Sequence, residues 1–356
     1  MSGGLKPRAR AVDPLLEPPA PVPPAMSPTP PAEPVPARDG SDASGGTDAL
    51  DVTVVIPTRD RSALLHGALL SALGQEGIRL EVLAVDDGSR DSTPDVLAGI
   101  EDPRLRVLRN ARPKGVAQAR NRALEAARGR WIAFLDDDDV WSPRFLRTLL
   151  YAAEGQGAVL AYACTIMLDA AREPVQLLHL AEPPDLLREL LRRNAIGAPC
   201  GVVLRTDVVR QVGGFDENLS LRADWDMWIR VAQEGPGVAC HEVLVGYTRH
   251  EAGMSLVHLE RAGPELEYLA TKHAALASRL DVRFGVRPYL TWSVATNRRA
   301  GRRLSAALAY ARLGLHQRRP ADLLRGLGML LGERAMRVGQ RPVPPVTAPD
   351  WLSLYR

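Results

Sequence analysis

From Asp51 onward the chain alternates between two hydrophobic periods. Val52–Ile56 is a β-branched run of strand length, and Ser62–Leu73 sets its leucines and alanines at helical spacing. Leu80–Val85 reads as a second strand, ending at Asp86-Asp87-Gly88-Ser89. A helix follows over Thr93–Gly99, with Ser92 or Thr93 at its N-cap and Pro94 suited to its first turn. Leu105–Leu108 is a third strand, Val116–Ala127 a helix and Trp131–Leu135 a fourth strand. Strands alternating with helices predict βαβ units, that is, an α/β fold with a mostly parallel sheet flanked by helices. In open sheets of this kind ligands bind outside the carboxyl ends of the strands. The aspartates at 86–87 and at 136–139 both fall at such ends.

The pattern loosens in the second half. Val159–Leu168 and Gly201–Leu204 read as strands with a helix near Asp185–Arg193 between them, and Val238–Val245 as another strand. Asp224–Gln233 reads as a helix with Trp225, Trp228, Ile229 and Ala232 on one face. Beyond Glu260 the chain turns helical and basic, and 13 arginines stand against Asp281, Asp322 and Glu333 between Asp281 and Arg341. At the other end, residues 1–36 hold 12 prolines, and 37–48 are rich in Gly, Ser and Asp. Such a segment buries too little apolar surface to offset its ordering entropy. The expected division is therefore a disordered tail over 1–48, one folded domain over 49–258 and a helical, arginine-rich region over 259–356.

Composition narrows the class. A chain of 356 residues with 46% hydrophobic and 24% charged residues is ordinary for a soluble globular protein, and a formal net charge of +3 does not argue for nucleic acid. Cys164, Cys200 and Cys240 lie far apart without metal-ligand spacing, which fits reduced thiols in the cytoplasm. The N-terminus shows no apolar core of a secretory signal, and no apolar stretch approaches the ~20 residues that span a bilayer. The expectation is a soluble or peripheral protein, cytoplasmic or at the inner face of the cell membrane.

The chemistry concentrates in Asp136–Asp139, directly after Trp131-Ile-Ala-Phe-Leu135. Clustered carboxylates repel one another, and burial sharpens the repulsion. A hard divalent cation such as Mg²⁺ or Mn²⁺ relieves it and keeps open positions for phosphate oxygens. A solvated acidic loop that caps the helix beginning near Pro143 is the plainer alternative.

Six segments in series resemble the inverting nucleotide-sugar glycosyltransferases of family 2, which have the GT-A fold. They are Val54-Val-Ile-Pro-Thr-Arg-Asp-Arg61, Val85-Asp-Asp-Gly-Ser-Arg-Asp-Ser-Thr93, Gly115-Val-Ala-Gln-Ala-Arg-Asn-Arg122, Leu135-Asp-Asp-Asp-Asp-Val-Trp141, Gly213-Gly-Phe-Asp-Glu217 and Asp224-Trp-Asp-Met-Trp-Ile-Arg230. The resemblance covers roughly residues 51–250. It implies a Rossmann-like sheet and a nucleoside diphosphate sugar as donor. It also implies a divalent metal, Mn²⁺ or Mg²⁺, and a saccharide or lipid-linked hydroxyl as acceptor. Pro57, Thr58 and Arg59 would lie against the base and Asp87 would hold the uracil or ribose. Arg120, with Lys114 behind it, would neutralise diphosphate charge. In the Asp-x-Asp pattern Asp138 becomes the direct metal ligand and Asp136 a contact to ribose or to metal-bound water. The run also offers a second register through Asp137, counted with the nucleotide-binding residues, and Asp139. His250 stands where relatives close the metal site. Cys200 would pack near the acceptor cleft, and Gly213-Gly214-Phe215 would form a structural turn.

Asp224 is the expected general base, with Asp226 its rival. The family's usual Glu-Asp pair is Ala223-Asp224 here, which puts acceptor contacts in doubt. Asp224 also suits an N-cap, where the helix dipole lowers a carboxyl's pKa. A nucleotidyltransferase remains an alternative, although the loop Pro57-Thr-Arg-Asp-Arg61 lacks the glycines that cradle a triphosphate. A non-catalytic sugar-nucleotide binder or scaffold is the other. For the arginine-rich C-terminus three roles stay open: a peripheral membrane surface, a lipid-diphosphate recognition or dimerisation surface, and a solvated helical cap.

Overall fold

The computed structural model describes residues 50–178, 180, 182–249, 261–299, 301–318, 320–331 and 346–355. The expected tail and His250 lie outside the described residues. Four parallel strands open the fold: β1 (Val52–Thr58), β2 (Leu80–Asp86), β3 (Leu105–Arg109) and β4 (Trp131–Phe134). All seven residues of β1 are buried. Its side chains alternate between two cores, as the pleat requires. Val54 and Ile56 face α1 (Ser62–Leu73) and α4 (Phe145–Gly155) through Leu65, Leu69, Leu146 and Leu149. Val55 faces the side holding α3 (Val116–Ala126) and α7 (Ala223–Val231) through Ala119, Ala123, Trp228 and Ile229. A one-residue slip would exchange the two sets, so the register is firmly specified. Pro57 falls past the four β1 positions paired with β4, where a missing N–H leaves no gap in the ladder.

The sheet continues as a mixed one. β5 (Val140–Trp141), β6 (Leu160–Leu168), β8 (Val202–Arg205) and β9 (Gly237–Thr248) complete the order β3-β2-β1-β4-β8-β6-β9-β5, with β7 (Pro174–Leu178) paired to β6. Within this half β6 and β9 are parallel and the other ladders antiparallel. β5, β7 and α6 (Thr206–Gln211) are elements the pattern did not announce. The helix at 223–231 also differs from its expected amphipathic form. Trp225, Asp226, Met227, Trp228, Ile229 and Val231 are all buried, so it is covered on nearly every side.

Packing runs across residue 258. Leu266 and Leu269 of the helix Ala262–Lys272, and Leu276 of the helix Ala274–Arg279, join the same core as Val55 and Trp228. The helices Val286–Arg299, Arg303–Gln317 and Pro320–Leu331 gather around a smaller cluster that includes Val294, Tyr310 and Met329. The chain then returns to the sheet: Leu352 packs on Val140, Ile166 and Leu168, and Trp351 Nε1 donates to the Val243 carbonyl at 3.0 Å. Among the described residues no helix is long and apolar enough to cross a membrane.

Candidate active site

The loops after β1 and β2 are tied to each other. Arg90 N donates to Asp60 Oδ1 at 2.7 Å, Asp60 N to Ser89 Oγ at 3.0 Å and Arg61 N to Thr93 Oγ1 at 3.2 Å. Asp60 takes φ 52° to make this turn, a conformation Asp tolerates better than most residues. Arg59 points outward, half-exposed, 3.6 Å from Asp60. Asp87 is buried and fully engaged: it accepts from Asn110 Nδ2 at 2.7 Å, Lys114 N at 2.9 Å and Gly115 N at 2.8 Å. Its carboxylate thus shapes the entry to α3, where Gly115 has φ 97°. The Lys114 side chain is exposed beside it.

The acidic run alternates in direction. Asp137 and Asp139 are buried at 8% and 0% exposure, while the side chains of Asp136 and Asp138 stay partly exposed at 29% and 17%. Thr58 Oγ1 donates to Asp137 Oδ2 at 2.7 Å, tying the end of β1 to the run. Asp139 Oδ1 accepts from Thr248 N at 2.8 Å, whereas its buried Oδ2 has no hydrogen-bond partner. Burial, with Asp138 and Asp136 adding, pushes Asp139 well above the carboxylate range. Burial also raises Asp137 to about 7, against the Thr58 hydrogen bond and with help from Asp138. Asp138 rises to about 6 through burial and the charge of Asp136, opposed by Arg61 at 3.7 Å. Cys200 is fully buried beside this run, and its carbonyl accepts from Trp141 Nε1.

Arg120 is buried, not on a solvated face of α3. Its Nη2 meets Asp136 Oδ1 at 2.5 Å and its guanidinium carbon lies 5.3 Å from the Phe215 ring centroid. Asn121, one position on, exchanges two hydrogen bonds with the Phe215 backbone at 2.7 and 2.9 Å. Gly214 is required there twice over, by φ 69° and by Asn121 Oδ1 only 2.7 Å from where a Cβ would stand.

Asp224 lies within electrostatic reach of both Arg120 and Asp136. It is partly exposed; its Oδ1 accepts from Trp225 N at 2.7 Å and its Oδ2 from Asn194 Nδ2 at 3.4 Å. Against the expectation from the helix dipole, its carboxyl is raised to about 6. Burial outweighs the Trp225 N–H and the charges of Arg120 and Arg222, and Asp136 adds to the rise. Nor is Asp224 the N-cap: the helix starts at Ala223 behind Arg222. The amides ahead of it are satisfied by Glu265 of the helix Ala262–Lys272, which accepts from Ser220 N, Ser220 Oγ, Leu221 N and Arg222 N at 2.6–3.1 Å. Asp226 is fully buried among Arg230, Lys272 and His273, at 2.6–3.0 Å. Burial raises its pKa, but His273, Arg230 and Lys272 more than offset this and hold it below the usual range. It is a structural ion cluster, out of reach of a substrate. Glu265 carried no signal in the sequence, since it lies 41 positions after Asp224 on another helix.

Among the described residues no group of three or more His, Cys, Asp or Glu side chains is placed to hold a metal ion. Asp136 and Asp138 are the partly exposed carboxylates of the run, facing Arg120 at 2.5 Å and Arg61 at 3.7 Å; a hard cation held by them would take its remaining positions from substrate phosphates and water.

Residues 53–213 match the family model "Glycosyl transferase family 2". The succinoglycan biosynthesis protein ExoO of Rhizobium meliloti is 45% identical over 111 residues, which are 31% of this chain and 32% of ExoO. WfaP of Escherichia coli, a UDP-Glc:α-D-GlcNAc-diphosphoundecaprenol β-1,3-glucosyltransferase, is 26% identical over 57% of this chain and 78% of its own. Among solved structures, residues 1–349 of TarS from S. aureus in complex with UDP-GlcNAc share the fold, with TM-score 0.52, 18% identity and coverage of 80% of this chain and 83% of TarS 1–349. The mannosyltransferase PcManGT from Pyrobaculum calidifontis, in complex with GDP-Man and Mn²⁺, does so with TM-score 0.51 and 18% identity, over 83% and 78%.

Proposed function

From the match of residues 53–213 to the family 2 glycosyltransferase model, we propose that the chain is a glycosyltransferase of that family and a metal-dependent inverting enzyme. It would move a sugar from a nucleoside diphosphate to a hydroxyl of a saccharide or lipid-linked acceptor in cell-envelope polysaccharide synthesis. The observation that carries this is the position of Asp224, a partly exposed carboxylate within electrostatic reach of Asp136 and Arg120. Donor chemistry and acceptor chemistry need those two sides to meet.

Asp224 takes the proton of the acceptor hydroxyl as its oxygen attacks the anomeric carbon from the face opposite the diphosphate. The bond from that carbon to the phosphate oxygen breaks, and the nucleoside diphosphate leaves with the electron pair, so the anomeric configuration inverts. A divalent cation held by Asp138 and Asp136 would supply charge neutralisation on the departing diphosphate. Arg120, pinned between Asp136 and Phe215, adds fixed positive charge on the same side. Pro57, Thr58 and Arg59 border the nucleoside end. Asp87 acts there by holding Lys114 and Gly115, since its oxygens already accept protein N–H groups.

Relatives support the donor class: WfaP is named for UDP-Glc, and the fold neighbours hold UDP-GlcNAc or GDP-Man with Mn²⁺. The test is donor turnover with UDP-Glc, UDP-GlcNAc and GDP-Man, with and without Mn²⁺, in the wild type, Asp138→Ala and Asp224→Asn. Metal-dependent release of one nucleoside diphosphate, lost in both variants, is expected. Turnover that survives Asp224→Asn would overturn the assignment of the base.

A further inference from the structure

The helix Arg303–Gln317 has two apolar sides. Ala306, Ala309, Tyr310 and Leu313 are buried in the small helical cluster. At i, i+4 and i+11 on the opposite side stand Leu304, Leu308 and Leu315, at 73%, 60% and 69% exposure. The next helix, Pro320–Leu331, repeats the arrangement: Asp322 and Met329 are buried, and Leu324, Leu327 and Leu330 are exposed at 67%, 60% and 48%. The two helices already pack backbone to backbone, since a Cβ on Gly326 would lie 3.0 Å from the Ala307 carbonyl oxygen. Their outward leucines are therefore surplus to the fold. A helix that is apolar on opposite sides normally has partners on both.

The surrounding charge selects the partner. Over 286–331 the sequence holds nine arginines and a single acid, Asp322, which is buried and paired with Arg325. Arg302, Arg303, Arg312 and Arg318 are exposed around the leucine rows. A second copy of the same basic face would be repelled, whereas an anionic lipid surface offers headgroups to the arginines and an acyl boundary to the leucines. We propose that the outward leucine faces of the helices at 303–317 and 320–331, with their flanking arginines, dock this protein on an anionic membrane surface.

The docking face is coupled to the catalytic side. Trp292 of the helix Val286–Arg299 packs on Gly263 so closely that a Cβ there would be 2.5 Å from the ring. Gly263 belongs to the same helix as Glu265, which holds the loop ahead of Asp224. That docking would present Asp224 to a lipid-linked acceptor rests on the proposed function; the docking itself does not.

The experiment is flotation of the full chain with vesicles of phosphatidylcholine alone or of equal parts phosphatidylcholine and phosphatidylglycerol. UDP binding with Mn²⁺ is measured on the same samples. The wild type is expected to float with the anionic vesicles only. Leu308→Glu with Leu324→Glu should weaken binding about tenfold or more, and each of Arg303→Ser and Arg312→Ser about fivefold. Leu308→Ser with Leu324→Ser serves if the glutamates unfold the cluster. Wild type that stays down with anionic vesicles, or leucine variants that float equally well, would overturn the docking. So would a dimer, seen by light scattering, that the leucine variants dissolve. Normal flotation without any nucleotide binding would instead count against the transferase reading alone.

Discussion

Glu265 accepts the backbone N–H of Arg222 at 3.1 Å, two positions ahead of Asp224. The same carboxylate takes the amides of Ser220 and Leu221, so a helix beyond the family-matched segment fixes the approach to the proposed base. Glu265→Ala would orphan three amides and a hydroxyl. Unsatisfied buried groups cost about 1–3 kcal/mol each, partly recovered by water at a loop. The expected loss is about 2–4 kcal/mol in urea unfolding, with a fall in kcat that Glu265→Gln partly restores. A loss below about 0.5 kcal/mol would refute this role.

Asp224→Asn should lower kcat by about 10²–10⁴, the usual worth of a general base, with UDP affinity unchanged. Parallel calorimetry and turnover assays measure the two quantities. Loss of nucleotide binding in the variant would mean that Asp224 serves the donor instead.

The raised carboxyl of Asp224 has two consequences with opposite pH trends. As a base it must be ionised, so kcat should fall with unit slope as pH drops below about 6. The folded state, however, prefers the protonated form, and unfolding releases the carboxyl to its ordinary value of 3.8. Its contribution to stability is therefore full below the unfolded value and is lost as pH rises through the folded one. Asp224→Asn should raise Tm at pH 8 and lose that advantage as pH falls towards 4. Thermal scans at the two pH values decide it, and a variant that melts lower than wild type at pH 8 would contradict the burial argument.

Adding Mn²⁺ together with UDP should raise Tm, because a ligand that binds only the folded state stabilises it by mass action. Asp138→Ala should abolish the metal-dependent part of that rise. Asp137→Asn should leave the metal response in place, since Asp137 points to Thr58, and by the burial argument used for Asp224 should raise Tm at pH 8. If the two variants exchanged behaviours, the register of the acidic run would be the other one.

Gly214→Ala places a Cβ 2.7 Å from Asn121 Oδ1 at φ 69°. Backbone strain and the displaced amide together should cost about 1–3 kcal/mol. The Phe215 ring under Arg120 should shift with it and raise the KM for the donor. An unchanged Tm and KM would show that the turn relaxes freely.

The strands β1, β2 and β4 and the aspartates at their ends were legible because hydrophobic period and strand-end chemistry are local properties of a chain. β5 was not, since two residues carry no period, and neither were the amides of 220–222, whose partner lies more than 40 positions away. The expected one-sided helix at 224–233 failed for a related reason: its polar positions Asp226 and Arg230 are buried against Lys272 and His273, partners invisible to a local pattern.

By itself, then, the sequence determined a parallel αβ core with acidic residues at the ends of two of its strands. It also determined the family resemblance, which rests on six short segments in order. Only the tertiary structure decided that Asp136 and Asp138 stay partly exposed while Asp137 and Asp139 are buried. It alone buried Arg120 against Phe215, raised Asp224 and brought Glu265 to the base's loop. Each of these depends on which remote groups share a volume, and burial and charge act through space, not along the chain.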